Sequence, residues 1–251
     1  GTADIVKYDF GYEIDPVWEA GNKNIPGIYI EFKEPWLNPK GFEQIVYDVL
    51  ANTQDMNIIE KPEPEDTPFY INNGTINVGN TNGKVILQTF SLESLVRVAE
   101  VFQGKVPMCF LLWKGTGATD LTYDDPLGYA SFINLGVKYK AHFIGPCIAG
   151  APNDYPELDQ PWQDYLIHRA KMKNHPYTFD TYDQMAKYFG QYNFGVADGM
   201  FNPPYLDALF TNHADMSINY MITHGWRKSP ASQTLVDARE VLRKLGYLDN
   251  N

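Results

Sequence analysis

Short apolar runs alternate along the chain with longer segments in which apolar residues recur every three or four positions. The first pattern predicts buried strands and the second amphipathic helices. Gly27–Trp36, GIYIEFKEPW, opens the series; its β-branched and aromatic residues predict a strand over about 27–33. PWLNPKGFEQIVYDVLAN then carries Phe42, Ile45, Val46, Val49 and Leu50 at helical spacing behind Pro39 and Gly41. KVILQTF (Lys84–Phe90) is a second strand, and Ser91 caps a helix bearing Leu92, Leu95, Val96, Ala99 and Phe102 that Gly104 ends. VPMCFLLW (Val106–Trp113) is a third strand, and Asp125-Pro126 is the cap and first-turn pair of the next helix. HFIGPCI (His142–Ile148) is a fourth strand, followed by a helix in PWQDYLIHRAKMKN, and HPYTF (His175–Phe179) is a fifth. Thr181 with Gln184 makes a capping box for TYDQMAKYFG, DALFTN (Asp207–Asn212) is a sixth strand, and residues 232–245 form a last helix stopped by Gly246. The Pro-, Asn-, Gly- and Glu-rich stretch 60–83 and the Gly- and Asp-rich stretch after the third strand predict loops, the first of a length that usually carries function or motion. Residues 1–26 are polar, with Val17-Trp18 their one strong apolar pair.

Strands that alternate with helices and are buried on both faces predict an α/β fold with a parallel sheet. No strand is followed by a Gly-rich dinucleotide fingerprint, so a TIM-type (β/α)8 barrel is favoured over a Rossmann sheet. About six strand–helix units are present, against eight in a closed barrel. The expectation is therefore one domain over 1–251, an incomplete barrel lacking its first strands, with 226–251 as a C-terminal helical extension.

Charge narrows the partners. The 251 residues carry a formal net charge of −11, with pI near 4.8. Nucleic acids and anionic membranes need basic patches, so neither is expected as a main partner. No apolar run is long enough to cross a bilayer. Gly1-Thr2-Ala3-Asp4 has neither the basic region nor the apolar stretch of a signal peptide. Cys109 and Cys147 sit inside apolar runs and are expected as buried free thiols. Asn73-Gly74-Thr75 is a common, weakly informative glycosylation sequon.

In a barrel, chemistry sits at the C-terminal ends of the strands. That rule selects Glu31, Lys33, Gln88, Trp113, Pro146, Tyr177 and Asn212. Glu31 and Lys33 lie two apart on one strand and so share a face. They make either a salt-bridged pair or one corner of a metal-plus-phosphate site, in which the carboxylate suits a hard cation and the lysine offsets phosphate charge. The five histidines, His142, His168, His175, His213 and His224, form no metal-binding spacing. His213 follows the last strand and could reach the barrel mouth; His175 begins its strand, the wrong end for catalysis; His168 is structural or exposed. Neither a Gly-x-Ser-x-Gly elbow nor a phosphate loop is present.

The order of the motifs adds a further reading. IYIEFKEPW, KVILQTFSLESL, FIGP, KNHPYTF and ALFTN follow one another as IYxEIKxPW, VxLQxFD, a Gly-Pro strand, an HPYT strand and LFTD do in glycerophosphodiester phosphodiesterases. From roughly Ile25 to Met221 the chain resembles the C-terminal two-thirds of that family, of the periplasmic or secreted kind. The resemblance implies a TIM barrel that hydrolyses glycerophosphodiesters to glycerol 3-phosphate and an alcohol, with a divalent cation (calcium or magnesium) and two histidines as acid and base. It implies Glu31 as the third metal carboxylate, Lys33 as the lysine beside the phosphate, and Gln88, Trp113 and Tyr177 as pocket-lining positions. It also implies a periplasmic or extracellular setting and a small phosphodiester as partner.

The departures are equally specific. Nothing in residues 1–26 matches the family's His-Arg-Gly strand, Glu-x-Asp metal pair or His-Asp turn, and Asn212 replaces the final Asp. No catalytic residue is therefore identified. Three readings remain open: an enzyme part completed by a further segment or a second chain, a degenerate barrel that binds a ligand or partner without catalysis, and a barrel patched by residues 1–26. Acid–base catalysis needs a positioned proton carrier, so this polypeptide alone is expected to have little or no phosphodiesterase activity. A sugar-processing barrel would need a second strand-end carboxylate opposite Glu31, and the sequence offers none.

Overall fold

The computed structural model describes residues 28–34, 36–52, 85–113, 123–191 and 206–224. The loop at 60–83, the residues just after the third strand, the helix at 232–245, the extension at 226–251 and the sequon lie outside the described residues. So does residues 1–26.

Five strands alternate with helices. They are β1 (Ile28–Glu31), β2 (Val85–Thr89), β3 (Met108–Leu112), β4 (Phe143–Pro146) and β5 (Lys173–Asn174). Each strand is followed in turn by one helix: α1 (Phe42–Asn52), α2 (Leu92–Phe102), α3 (Pro126–Lys138), α4 (Pro161–Arg169) and α5 (Tyr182–Ala186), which continues as a π-turn over Lys187–Gln191; a last helix, α6, is Ala214–Thr223. All strand pairs are parallel, and the spatial order is the chain order. A doubly wound sheet reverses direction partway; this one adds every strand on the same side. Right-handed crossovers then put all the connecting helices on one face.

The two faces differ as that topology requires. Val85, Leu87, Met108, Phe110, Leu112 and Ile144 pack with Leu95, Val98 and Phe102 of α2, Phe132 and Ile133 of α3 and Ile167 of α4. The opposite face carries Ile86, Cys109, Leu111 and Phe143, packed with Tyr29, Phe90, Tyr177 and Phe210. Among the described residues that cluster contains no helical residue.

The sheet is curled. In a flat sheet β1 and β5 would stand roughly 19 Å apart at about 4.8 Å per strand. Instead the Tyr29 hydroxyl is 3.1 Å from His175 Nδ1, just beyond β5. Tyr29 also meets Phe210 edge-on, with ring centroids 4.8 Å apart. Gly145 makes room for the curl: a Cβ there would lie 2.6 Å from Leu111 Cδ2 and 2.9 Å from Cys109 Sγ.

Several elements differ from the sequence pattern in detail. Ile45 and Val49 of α1 are exposed, while Phe42, Val46, Tyr47, Leu50 and Ala51 face the core. α2 ends at Gln103, which takes the left-handed conformation one residue before Gly104. The fifth strand begins at Lys173, not His175, and Tyr177 rejoins the sheet through a bridge to Cys147. The segment expected as a sixth strand is not a regular ladder, yet it lies along β5. Asp207 and Ala208 N–H donate to Asn174 O, Phe210 N–H donates to Pro176 O, and Phe179 N–H donates to Phe210 O. Among the described residues no helix is long and apolar enough to cross a membrane.

Candidate functional site at the C-terminal end of the sheet

Parallel strands gather the expected site residues at one end. Glu31 is the last residue of β1 and stands opposite Gln88 of β2, which stands opposite Cys109 of β3. Beyond β1, Phe32 N–H donates to Gln88 O at 2.8 Å, and Thr89 Oγ1 donates to Phe32 O at 2.8 Å. These bonds fix the exit of β1 and hold Lys33 on Glu31's side of the strand.

Lys33 Nζ lies 3.8 Å from Glu31 Oε2, but its side chain is 72% exposed against 22% for Glu31. A pair so long and so well hydrated is worth little. Burial accordingly outweighs Lys33 and pushes the Glu31 carboxyl above its ordinary value. Beside it the Gln88 side-chain oxygen is buried with no hydrogen-bond partner among the described residues. An under-neutralised carboxylate next to an unused carbonyl oxygen is an oxygen-rich corner that favours a hard cation or a donor. Two oxygens do not complete a metal site. Among the described residues no group of three His, Cys, Asp or Glu is placed to hold a metal.

Aromatic rings continue the rim. Phe90, just past β2, meets Tyr177 at 5.7 Å; Tyr177 meets Tyr155 at 6.0 Å; Tyr155 meets Trp113, just past β3, at 6.5 Å. Trp113 and Tyr155 each keep over a third of their surface exposed. The Tyr177 hydroxyl donates to Leu112 O at 2.9 Å, and burial pushes its ionisation far up, so it is a fixed donor and not an acid. The expected positions thus fall into two groups, Glu31–Lys33–Gln88 and Trp113–Tyr177, and Phe90, two residues past Gln88, packs against Tyr177. Asn212 is turned to another task and donates to Asp180 Oδ2 at 2.9 Å. Pro146, the last residue of β4, pairs in register with Leu112, whose side chain packs on the helix-covered side.

Below the rim, Tyr29, Cys109, Phe143 and His175 form an inner layer, with Phe143 stacked on His175 at 4.0 Å. The sequence reading missed this layer, although Tyr29 alternates with Ile28 and Ile30 and so shares Glu31's face. His175 does not begin its strand; it sits just beyond the C-terminal end of β5, with Nδ1 3.1 Å from the Tyr29 hydroxyl. Burial pushes the Cys109 and Cys147 thiols up to about 12, so both are protonated and inert as nucleophiles. Both are free and buried, as expected.

The other histidines lie away from this end or make contacts of their own. His142 is fully buried, held neutral by burial at a value of about 3, and its Nδ1 accepts from Met108 N–H at 3.1 Å. His168 bridges Asp164 and Asp207. His213 is exposed at the N-terminal boundary of α6, and His224 stacks on Tyr220 at 4.0 Å.

The chain matches no family model, and no curated protein matches it.

Proposed function

We propose that the described sheet is part of a TIM-type barrel of the glycerophosphodiester phosphodiesterase kind, and that its Glu31–Lys33 end binds a glycerol phosphoester with a divalent cation, calcium or magnesium. One observation carries this reading. The five family-like motifs fall in order on β1, β2, β4, β5 and the segment alongside β5, and Glu31 and Lys33 of the first motif share one face where β1 ends. The single-direction strand order and the curl support the barrel. The raised Glu31 carboxyl and the unused Gln88 oxygen support a cation there. In this reading Glu31 is one of the metal ligands, Lys33 offsets phosphate charge, and Gln88, Trp113 and Tyr177 line the pocket. The family's two histidines and two further metal acids have no counterpart in the matched motifs. Hydrolysis therefore needs groups from a further segment or a second chain, and a periplasmic or extracellular setting goes with the same resemblance.

A second reading is a degenerate, non-catalytic barrel that binds its ligand without metal. The observation favouring it is that Glu31 is the only ligand position of the family's set that the motifs supply. Calorimetric titration of glycerol 3-phosphate into the protein, with calcium or magnesium and with chelator, separates the two. The first reading expects cation-dependent binding weakened at least tenfold by Glu31→Gln. Binding that ignores both cation and Glu31 supports the second, and no binding at millimolar ligand sinks both. Hydrolytic turnover by the 251-residue chain alone is expected to be negligible; measurable metal-dependent turnover would show that expectation to be wrong.

A further inference from the structure

We infer that Leu206–His224 is a unit latched to the sheet through Asp207, able to open separately from the main core and uncover the sheet's inner face. Most of its apolar residues belong to a different cluster from the main core: Leu206, Tyr220 and Met221 pack with Phe179, Met185 and Tyr188, while Phe210 packs on the sheet's inner face. Its junction with β5 and α4 is polar. Asp207 Oδ2 accepts from Asn174 N–H at 2.8 Å and lies 2.7 Å from His168 Nε2, while Oδ1 lies 3.1 Å from Lys173 Nζ. His168 Nδ1 is in turn 3.1 Å from Asp164 Oδ2. One carboxylate therefore joins the unit to both a strand and a helix. The backbone bonds alongside β5 reinforce it, and those groups find water on opening. Phe210 against Tyr29 is the contact through which the unit reaches the inner face. Lifting the unit removes that ring and leaves the layer below Glu31 and Gln88 open from the side.

The charged groups around the junction set its pH range. From α4 come His168 and Asp164, and from β5 comes Lys173; Asp159, before α4, shares Asn174 with Asp164. Burial would raise Asp207, but His168 and then Lys173 hold it down to about 2, below its ordinary 3.8. Burial would lower His168, but Asp164 and then Asp207 hold its imidazolium up to about 10, above its ordinary 6.5. A carboxylate held down favours the closed form above about 3.8 and loses that advantage as pH falls toward 2. An imidazolium held up favours it below about 6.5 and loses that advantage as pH rises toward 10. The unit is thus held most tightly between these limits. Because 38% of the His168 side chain is exposed, water screens the alkaline arm and makes it the shallower one.

Hydrogen exchange of the full chain, corrected for intrinsic rates, tests this at pH 5 and pH 9. The expected result is protection of residues 206–224 falling at least threefold from pH 5 to pH 9, while β3 keeps its protection. At pH 5, His168→Gln and Asp207→Asn should each lower protection of 206–224 alone. If Asp207→Asn does not fold, the wild-type pH series and His168→Gln decide the matter. Loss of protection in 206–224 and β3 together, or indifference of 206–224 to both pH and His168→Gln, would overturn the latch.

Discussion

Glu31 is the residue at which a bland and a chemical reading meet. Its spacing from Lys33 allows a salt bridge or a ligand corner, and the observed pair is long, with the lysine largely in water. The carboxyl is left raised by burial, which an adequate ion pair would have prevented. Gly145 carries the clearest single-residue prediction. An added Cβ would meet Leu111 Cδ2 at 2.6 Å, Cys109 Sγ at 2.9 Å and the His175 carbonyl at 3.1 Å. The leucine tip can turn aside, whereas the backbone oxygen cannot move without disturbing β5. Gly145→Ala should therefore lose about 1–3 kcal/mol in urea unfolding, as overpacking does; an unchanged midpoint would show that the inner face is looser than described. Most candidate residues were legible because strand alternation is rigid, and Glu31, Gln88 and Tyr177 all fall on the inner face. The Tyr29–His175 contact was not legible, since it depends on how far the sheet curls and no local pattern encodes that.

Among the elements, helix starts were the most readable feature because capping chemistry is local. Asp125 Oδ1 accepts from Gly128 N–H at 2.9 Å with Pro126 in the first turn. Gln184 and Thr181 exchange both bonds of a capping box. Asp125→Ala should cost about 1 kcal/mol, read as a lower thermal midpoint with the helical signal retained below it. A midpoint equal to wild type would mean that α3 is held by packing alone. Edges and faces were less readable. Ile45 and Val49 satisfy helical spacing, but α1 turns Tyr47 and Ala51 inward instead, because hydrophobic periodicity tolerates more than one facing direction. The short β5 escaped the pattern since Lys173 and Asn174 are not strand-like residues. Their places are set by pairing with Phe143 and Ile144 and by Asn174 binding Asp159 and Asp164.

For the whole molecule, the parallel α/β architecture followed from alternation of short apolar runs with amphipathic segments, and the single-direction strand order accords with the absence of a dinucleotide fingerprint. What alternation could not supply is curvature. That came from long-range contacts such as Tyr29 with His175, separated by 146 positions. Curvature is also what brings Glu31, Gln88 and the aromatic rim around one end, so the proposed site is a property of the sheet as a body. The claim that this end is the cation and phosphoester site can be tested by nuclear magnetic resonance with Mn²⁺ as a paramagnetic stand-in for calcium or magnesium. Substoichiometric Mn²⁺ is expected to broaden selectively the signals of Glu31, Phe32 and Gln88, and Glu31→Gln to abolish the effect. Broadening centred on another acidic surface, or unchanged by Glu31→Gln, would contradict it.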